Sequence, residues 1–119
     1  MRNISFHLTQ QQILARTKTV TRRLGWKWLV EQWSKDEREI YLQPIVKGQG
    51  IPKGGKVEKL GNPIRIVQAG FQKLNHITQD DVRREGFPDW TPSDFIEFFC
   101  KANGCKRTTK VTVITFIYT

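Results

Sequence analysis

Residues 110–119 are the segment that most strongly constrains the fold. They read KVTVITFIYT, and every residue after the lysine is β-branched or aromatic. Such residues favour strands because their side chains pack well on a pleated, half-buried surface. A strand this late in the sequence pairs with strands formed much earlier. The segment therefore predicts a mixed, barrel-like sheet with helices at its rim.

Four helices are predicted ahead of this strand. Three are indicated by the N-cap threonines Thr9, Thr78 and Thr91, each placed to accept a backbone N–H in the first helical turn. The fourth has an apolar face with helical spacing, formed by Trp26, Leu29, Val30 and Trp33.

Four further strands are predicted from alternating apolar and polar residues and from flanking turn residues. They cover residues 4–8, 17–23, 38–46 and 63–74, with a bulge expected at Gly70. The resulting order is β-α-β-α-β-β-α-α-β, which is an α+β class.

Length and composition predict one globular domain over residues 1–119. The chain has 38% hydrophobic residues, enough for a modest core. No apolar run approaches the roughly 18 residues that a membrane span needs, and the first residues lack a secretion signal. We therefore expect a cytoplasmic protein that does not bind a membrane. The oligomeric state stays open.

Metal binding is not expected. Cys100 and Cys105 are the two cysteines, and His7 and His76 are the two histidines. A zinc site needs about four ligands, and these residues lack ligand spacing. We expect reduced thiols, no metal and no cofactor.

The charge of the chain favours a polyanionic partner. The net charge is +9, and residues 1–23 and 101–110 contain no acid at all. Such asymmetry is typical of proteins that bind nucleic acid. RNA or a nucleotide is the expected ligand, with DNA as the alternative.

Residues 16–23, RTKTVTRR, combine cations and threonine hydroxyls without an acid. Guanidinium, ammonium and hydroxyl groups all donate hydrogen bonds to phosphate or carboxylate oxygens. In a regular strand, Lys18, Val20 and Arg22 would face one side. Thr19, Thr21 and Arg23 would face the other.

Candidate nucleic-acid contacts come from this segment and from two other places. The second is Trp28, which lies off the apolar face of its helix and is the expected exposed aromatic. The third is the basic, glycine-rich loop 47–56, whose backbone can present N–H groups to phosphate. The full candidate set is Arg16, Lys18, Arg22, Arg23, Trp28, Lys53 and Lys56.

Three features together resemble ASCH domains. The family motif reads Gly-x-Lys-x-x-Thr-x-Arg, and Lys18, Thr21 and Arg23 occupy its last three fixed positions, with Arg16 in place of the glycine. Residues 74–87, LNHITQDDVRREGF, are similar to the family's helix that ends in a glutamate-glycine step. The final strand also fits the family.

The resemblance implies a PUA-like mixed β-barrel and three functions. Many such domains are taken to bind RNA, which implies an RNA- or nucleotide-binding domain with a cationic cleft. One bacterial branch is an amidohydrolase that removes the acetyl group from N4-acetylcytidine. Its lysine, threonine and glutamate correspond to Lys18, Thr21 and Glu85 here. Other members are similar to nucleases.

Amide hydrolysis would need these three residues to converge. Thr21 would supply a nucleophilic hydroxyl, Lys18 would act as its base, and Glu85 would relay a proton to the leaving amine. In a regular strand Lys18 and Thr21 face opposite sides, so a turn after the first helix is required. Convergence in one pocket favours chemistry, whereas a Glu85 that faces away favours binding alone.

Overall fold

A computed structural model describes residues 1–35, 39–48 and 54–119 of the chain. Its helices and strands follow the order predicted from the sequence. They are β1 Arg2–Ser5, α1 Gln10–Leu14, β2 Val20–Arg23, α2 Lys27–Lys35, β3 Ile40–Ile45, β4 Ile64–Lys73, α3 Gln79–Arg84, α4 Pro92–Asn103 and β5 Lys110–Tyr118, with a 3₁₀ turn at Leu74–His76.

The strands form one mixed sheet in the order β1-β3-β4-β5-β2. β1 pairs with β3 in parallel, and the other neighbours are antiparallel. The predicted α+β class with a mixed sheet is confirmed, and the late strand β5 pairs with both β4 and β2.

The predicted barrel is wrong, because the sheet is not closed. β1 and β2 are its two edges, and no backbone ladder joins them in the described residues. Both strands are only four residues long. A side chain bridges them instead, since Arg23 Nη2 donates to the Ser5 carbonyl at 2.5 Å. The gap between the edges is where the candidate site lies.

Two apolar clusters hold the sheet and helices together. One packs α1 and α2 on the sheet through Ile4, Phe6, Ile13, Leu29 and Ile64, among others. The second lies between α3, α4 and the sheet, with Leu74, Val82, Phe95, Phe99 and Val111. The second cluster fixes α3, and with it the end of that helix, against the strands.

Local signals differ in how well they predicted the helix starts. Thr78 and Thr91 form full capping boxes with Asp81 and Asp94. Thr9 is the N-cap residue of α1, as predicted, but its side chain makes no cap hydrogen bond, so that part of the prediction is wrong. The main irregularity of β4 lies between Ile66 and Gln68 instead of at Gly70.

None of the helices in the described ranges is both long and apolar enough to cross a bilayer.

Candidate functional site

A pocket of about 340 Å³ lies in the gap between the open edges of the sheet. The chain after β1, strand β2, the end of α3 and the face of α4 form its walls. Its buried polar residues are Thr9, Lys18, Thr21, Arg22 and Glu85. Six aromatic side chains also line it: Phe6, Trp26, Phe87, Phe95, Phe98 and Phe99.

Lys18 and Glu85 meet directly in this pocket. Lys18 Nζ lies 2.7 Å from Glu85 Oε1 and also donates to the Glu85 carbonyl at 2.9 Å. Thr21 lines the same pocket, and the three residues are each 2–3% exposed. The lysine, threonine and glutamate of the sequence motif therefore converge, and Glu85 does not face away.

The convergence depends on a turn between α1 and β2. Arg16 adopts a left-handed backbone with φ of 59°, the conformation that the motif's glycine would adopt freely. The Thr17 and Lys18 amides then donate to the Gln12 carbonyl. β2 begins only at Val20, so Lys18 lies in the turn and shares the pocket with Thr21. The expected regular alternation from Lys18 onward is therefore wrong.

The glutamate-glycine step positions the other side of the site. Glu85 ends α3, and the Thr19 amide donates to the Arg84 carbonyl at 2.8 Å. Gly86 has φ of +103°, and an added Cβ would lie 2.7 Å from Gln12 Cγ. Only glycine therefore lets α3 end this close to the turn that carries Lys18.

Arg22 and Lys18 both pair with the Glu85 carboxylate. Its Nη1 donates to Glu85 Oε2 at 2.9 Å, and its Nη2 donates to Gln72 Oε1 at 3.0 Å and lies 3.3 Å from Asp81 Oδ2. Arg22 is thus a buried partner of two carboxylates.

Burial dominates the electrostatics of Lys18. Loss of solvent lowers the pKa of the Lys18 ammonium, and the Glu85 charge opposes that shift without cancelling it. Arg22 and Arg23 also lower the Lys18 pKa slightly. A lysine shifted in this way is a better base near neutral pH than an exposed one.

Arg23 orients the threonine hydroxyl. Its Nε donates to Thr21 Oγ1 at 3.2 Å, while its guanidinium lies 4.8 Å from the centre of the Phe6 ring. Burial lowers the Arg23 pKa to about 10, so the group stays charged at neutral pH.

Arg16, Trp28 and Lys56 do not line this pocket. Arg16 is exposed, with its guanidinium 5.6 Å from the centre of the Tyr118 ring. Lys56 is exposed, and Lys53 lies outside the described residues. Trp28 is half-buried against the core and covered by Arg2 at 4.1 Å, whereas Trp33 is 36% exposed. The expectation that Trp28 is the exposed tryptophan is wrong.

Sequence reasoning missed the aromatic walls. Phe87 stacks on Trp90 with ring centres 4.0 Å apart, and Phe98 meets Trp90 edge-on. In the sequence, the aromatics of α4 indicated only an apolar helix face. Nothing local distinguishes a core phenylalanine from one that lines a cavity.

Comparison with known proteins supports the fold. An ASCH domain from Lactobacillus crispatus JV V101 superposes with a TM-score of 0.56 at 17% identity, covering 92% of this chain and 69% of that one. A DUF984 protein from Enterococcus faecalis V583 gives 0.56 at 13% identity, covering 92% and 66%. The chain has an ASCH-like fold. It spans about two thirds of the length of these two solved chains. No protein-family model and no curated protein matches its sequence.

The ASCH-like fold thus carries a buried lysine-threonine-glutamate set beside aromatic walls. Among the described residues, no three histidine, cysteine or carboxylate side chains cluster as a metal site would require.

Proposed function

We propose that this pocket hydrolyses the amide of an acylated cytosine, with N4-acetylcytidine or a related modified base as substrate. The observation that carries the proposal is the convergence of Lys18, Thr21 and Glu85 in one buried pocket. A nucleophile, a base and a proton relay within one cavity are the parts that amide hydrolysis needs.

The pocket favours an uncharged, planar guest. Lys18 and Arg22 are already paired with Glu85, and Arg23 donates to Ser5 and Thr21. A phosphate would have to displace one of these contacts. The aromatic side chains offer flat apolar surface to a base instead.

The chemistry follows from the positions of these groups. Thr21 Oγ1 attacks the amide carbon, and Lys18 accepts the hydroxyl proton in the molecules in which its amine is unprotonated, a fraction that its lowered pKa increases. The C–N bond breaks, and Glu85 relays that proton from Lys18 to the leaving amine. Water then cleaves the acyl-threonine ester, so amide and water yield amine and carboxylic acid.

The test is incubation with N4-acetylcytidine, followed by chromatographic detection of cytidine. Thr21→Val removes the hydroxyl with little change in shape and is expected to abolish turnover. Thr21→Ser keeps the hydroxyl and is expected to retain activity. Thr19→Val in the same segment is the control, because Thr19 does not line the pocket.

Lys18→Ala and Glu85→Ala are expected to abolish turnover as well, with circular dichroism checking the fold. Full activity in a folded Thr21→Val variant would place the chemistry elsewhere.

As a second candidate function, we infer RNA binding on the exterior of β4 and β5. Residues 59–79 and 98–119 contain no acid, and the two strands pair with each other within these stretches. Lys73 of β4 lies directly opposite Lys110 of β5. Two like charges in this position repel each other and destabilise the pairing unless an anion lies nearby. The exposed cations on these strands and in the loop that precedes β5 are Lys73, Lys106, Arg107 and Lys110.

The test is titration of labelled single-stranded RNA at low and moderate salt. Affinity is expected to fall steeply with salt, as counterion release requires. Lys73→Glu with Lys110→Glu should weaken binding far more than the charge-matched pair Lys27→Glu with Lys35→Glu on α2. Equal weakening of RNA binding by both pairs of substitutions would contradict binding at the surface of β4 and β5.

A further inference from the structure

Two cysteines lie side by side where α4 ends. Cys100 belongs to the last turn of the helix, and Cys105 lies in the loop that leads to β5. Their Sγ atoms are 3.8 Å apart, and both side chains are free thiols. Neither cysteine lines the pocket of the proposed hydrolysis, which assigns them no role.

The way in which α4 ends brings the two cysteines together. Gly104 adopts a left-handed backbone with φ of 63°, which turns the chain back over the helix. The Gly104 and Cys105 amides then both donate to the Cys100 carbonyl, at 2.8 and 3.3 Å. In this type of helix end, the residue that follows the glycine contacts a residue of the last turn. The backbone itself therefore holds Cys105 against Cys100.

The arrangement suits a disulfide bond. Bonded sulfur atoms lie about 2.0 Å apart, and the two backbones must already be close together. The hydrogen bond from the Cys105 amide to the Cys100 carbonyl meets the second condition. The side chain of Asn103 also donates to the Phe99 carbonyl at 3.0 Å and ties down the same turn. Rotation of the two cysteine side chains then suffices to close the remaining gap.

A small reagent can reach the two thiols. Both cysteines are half-buried, and the neighbouring side chains of Lys101, Lys106 and Arg107 are exposed. Their positive charge attracts a reagent that carries carboxylates. Reagent access and closely spaced thiols are the two conditions that thiol–disulfide exchange requires.

We propose that Cys100 and Cys105 form a thiol–disulfide exchange site that takes an anionic, low-molecular-weight disulfide such as oxidised glutathione. One cysteine thiolate attacks the reagent and forms a mixed disulfide, with release of one reagent thiol. The second cysteine thiolate attacks the protein sulfur of the mixed disulfide and releases the other. The two protein thiols are thereby oxidised to an internal disulfide, the reagent is reduced to two thiols, and the two cysteine protons pass to them.

The cross-link would fix one wall of the first pocket. Phe98, Phe99 and Asn103 line that pocket from α4, and the disulfide joins the last turn of this helix to the loop after it. A reduced protein and an oxidised protein therefore differ in how firmly this wall is held. The exchange site itself does not depend on the proposed hydrolysis.

The experiment equilibrates the protein in glutathione buffers that cover a range of ratios of oxidised to reduced glutathione. Free thiols are then blocked with N-ethylmaleimide, and the products are identified by intact mass. The chain has two cysteines, so each mass identifies one species. We expect an internal disulfide whose midpoint does not depend on the protein concentration.

The same titration in concentrated urea shows what the fold contributes. We expect the effective concentration of the two thiols to be at least about tenfold higher in the folded protein than in the unfolded chain. By linkage, a tenfold difference makes the oxidised fold more stable by about 1.4 kcal/mol. The melting temperature should therefore rise by at least about 3 °C on oxidation.

Cys100→Ser and Cys105→Ser are the matched control variants. Each keeps one thiol, so each is expected to accumulate the mixed disulfide with glutathione and to form no internal disulfide. Mixed disulfides alone in the natural protein would overturn the proposal. An effective concentration in the folded protein equal to or below that in urea would overturn it as well, because the fold would then not bring the thiols together.

Discussion

Glu85→Gln is the substitution that most directly tests the buried ion network. It keeps the size of the side chain but removes the negative charge that lies against both Lys18 Nζ and Arg22 Nη1, at 2.7 and 2.9 Å. The new amide also places an NH₂ donor where one of the cations donates now. Lys18 and Arg22 are then left buried without a carboxylate partner at these two positions.

The expected loss of stability follows from the two charged hydrogen bonds that the substitution removes. A hydrogen bond to a charged group contributes about 1.5–3 kcal/mol, and breaking a buried ion pair costs about 3–5 kcal/mol. We therefore expect the free energy of unfolding to fall by about 4 kcal/mol. With a urea m-value of about 2 kcal/mol/M for a small protein, the unfolding midpoint falls by about 2 M.

Equilibrium urea unfolding, followed by tryptophan fluorescence, measures this change. The control is Glu97→Gln on α4, an exposed glutamate for which we expect a change within about 0.5 kcal/mol. Adding Lys18→Met to Glu85→Gln should recover part of the loss, because it removes one unpaired buried charge. A midpoint for Glu85→Gln equal to that of Glu97→Gln, or no recovery in the double variant, would refute the reasoning.

Three other predictions concern the backbone and the edge of the site. Gly86→Ala should lower the free energy of unfolding, measured in urea, by at least about 2 kcal/mol. The backbone φ of +103° at this position suits glycine, and the alanine Cβ would clash with the Gln12 side chain. A change below about 0.5 kcal/mol would contradict this prediction. Arg16→Gly should raise the free energy of unfolding by up to about 1 kcal/mol. Glycine relieves the strain of the left-handed backbone at φ 59°, but it loses more chain entropy on folding. A loss of stability in this variant would show that the strain is absent. Burial raises the pKa of the Tyr118 phenol to about 12. As pH rises, the phenol therefore loses its proton in the unfolded chain before it does so in the folded protein. The stability that Tyr118 contributes should be lost between about pH 10 and pH 12. The stability gap between the natural protein and Tyr118→Phe should therefore narrow over that range in urea titrations, and a constant gap would be inconsistent with the shift.

The residues that form the site were predictable from motif spacing, but their surroundings were not. Lys18, Thr21 and Glu85 come together as the resemblance implies, although Lys18 and Glu85 are 67 positions apart. Arg22 appeared in the sequence as a free phosphate contact, yet it is buried between Glu85, Gln72 and Asp81. Whether a cation faces solvent or a carboxylate depends on distant segments, which no local pattern records.

The sequence alone determined the order of the elements and several of their ends. Capping boxes at Thr78 and Thr91, the β-branched run of β5 and the glutamate-glycine step act over a few residues, so they can be recognised without the fold. Tertiary structure alone decided that the sheet stays open between β1 and β2, and that a pocket occupies this gap. Sheet closure depends on whether two strands distant in the chain meet edge to edge. That outcome is set by the packing of the helices and by contacts such as Arg23 to Ser5, which span the whole molecule and leave no signature in any single segment.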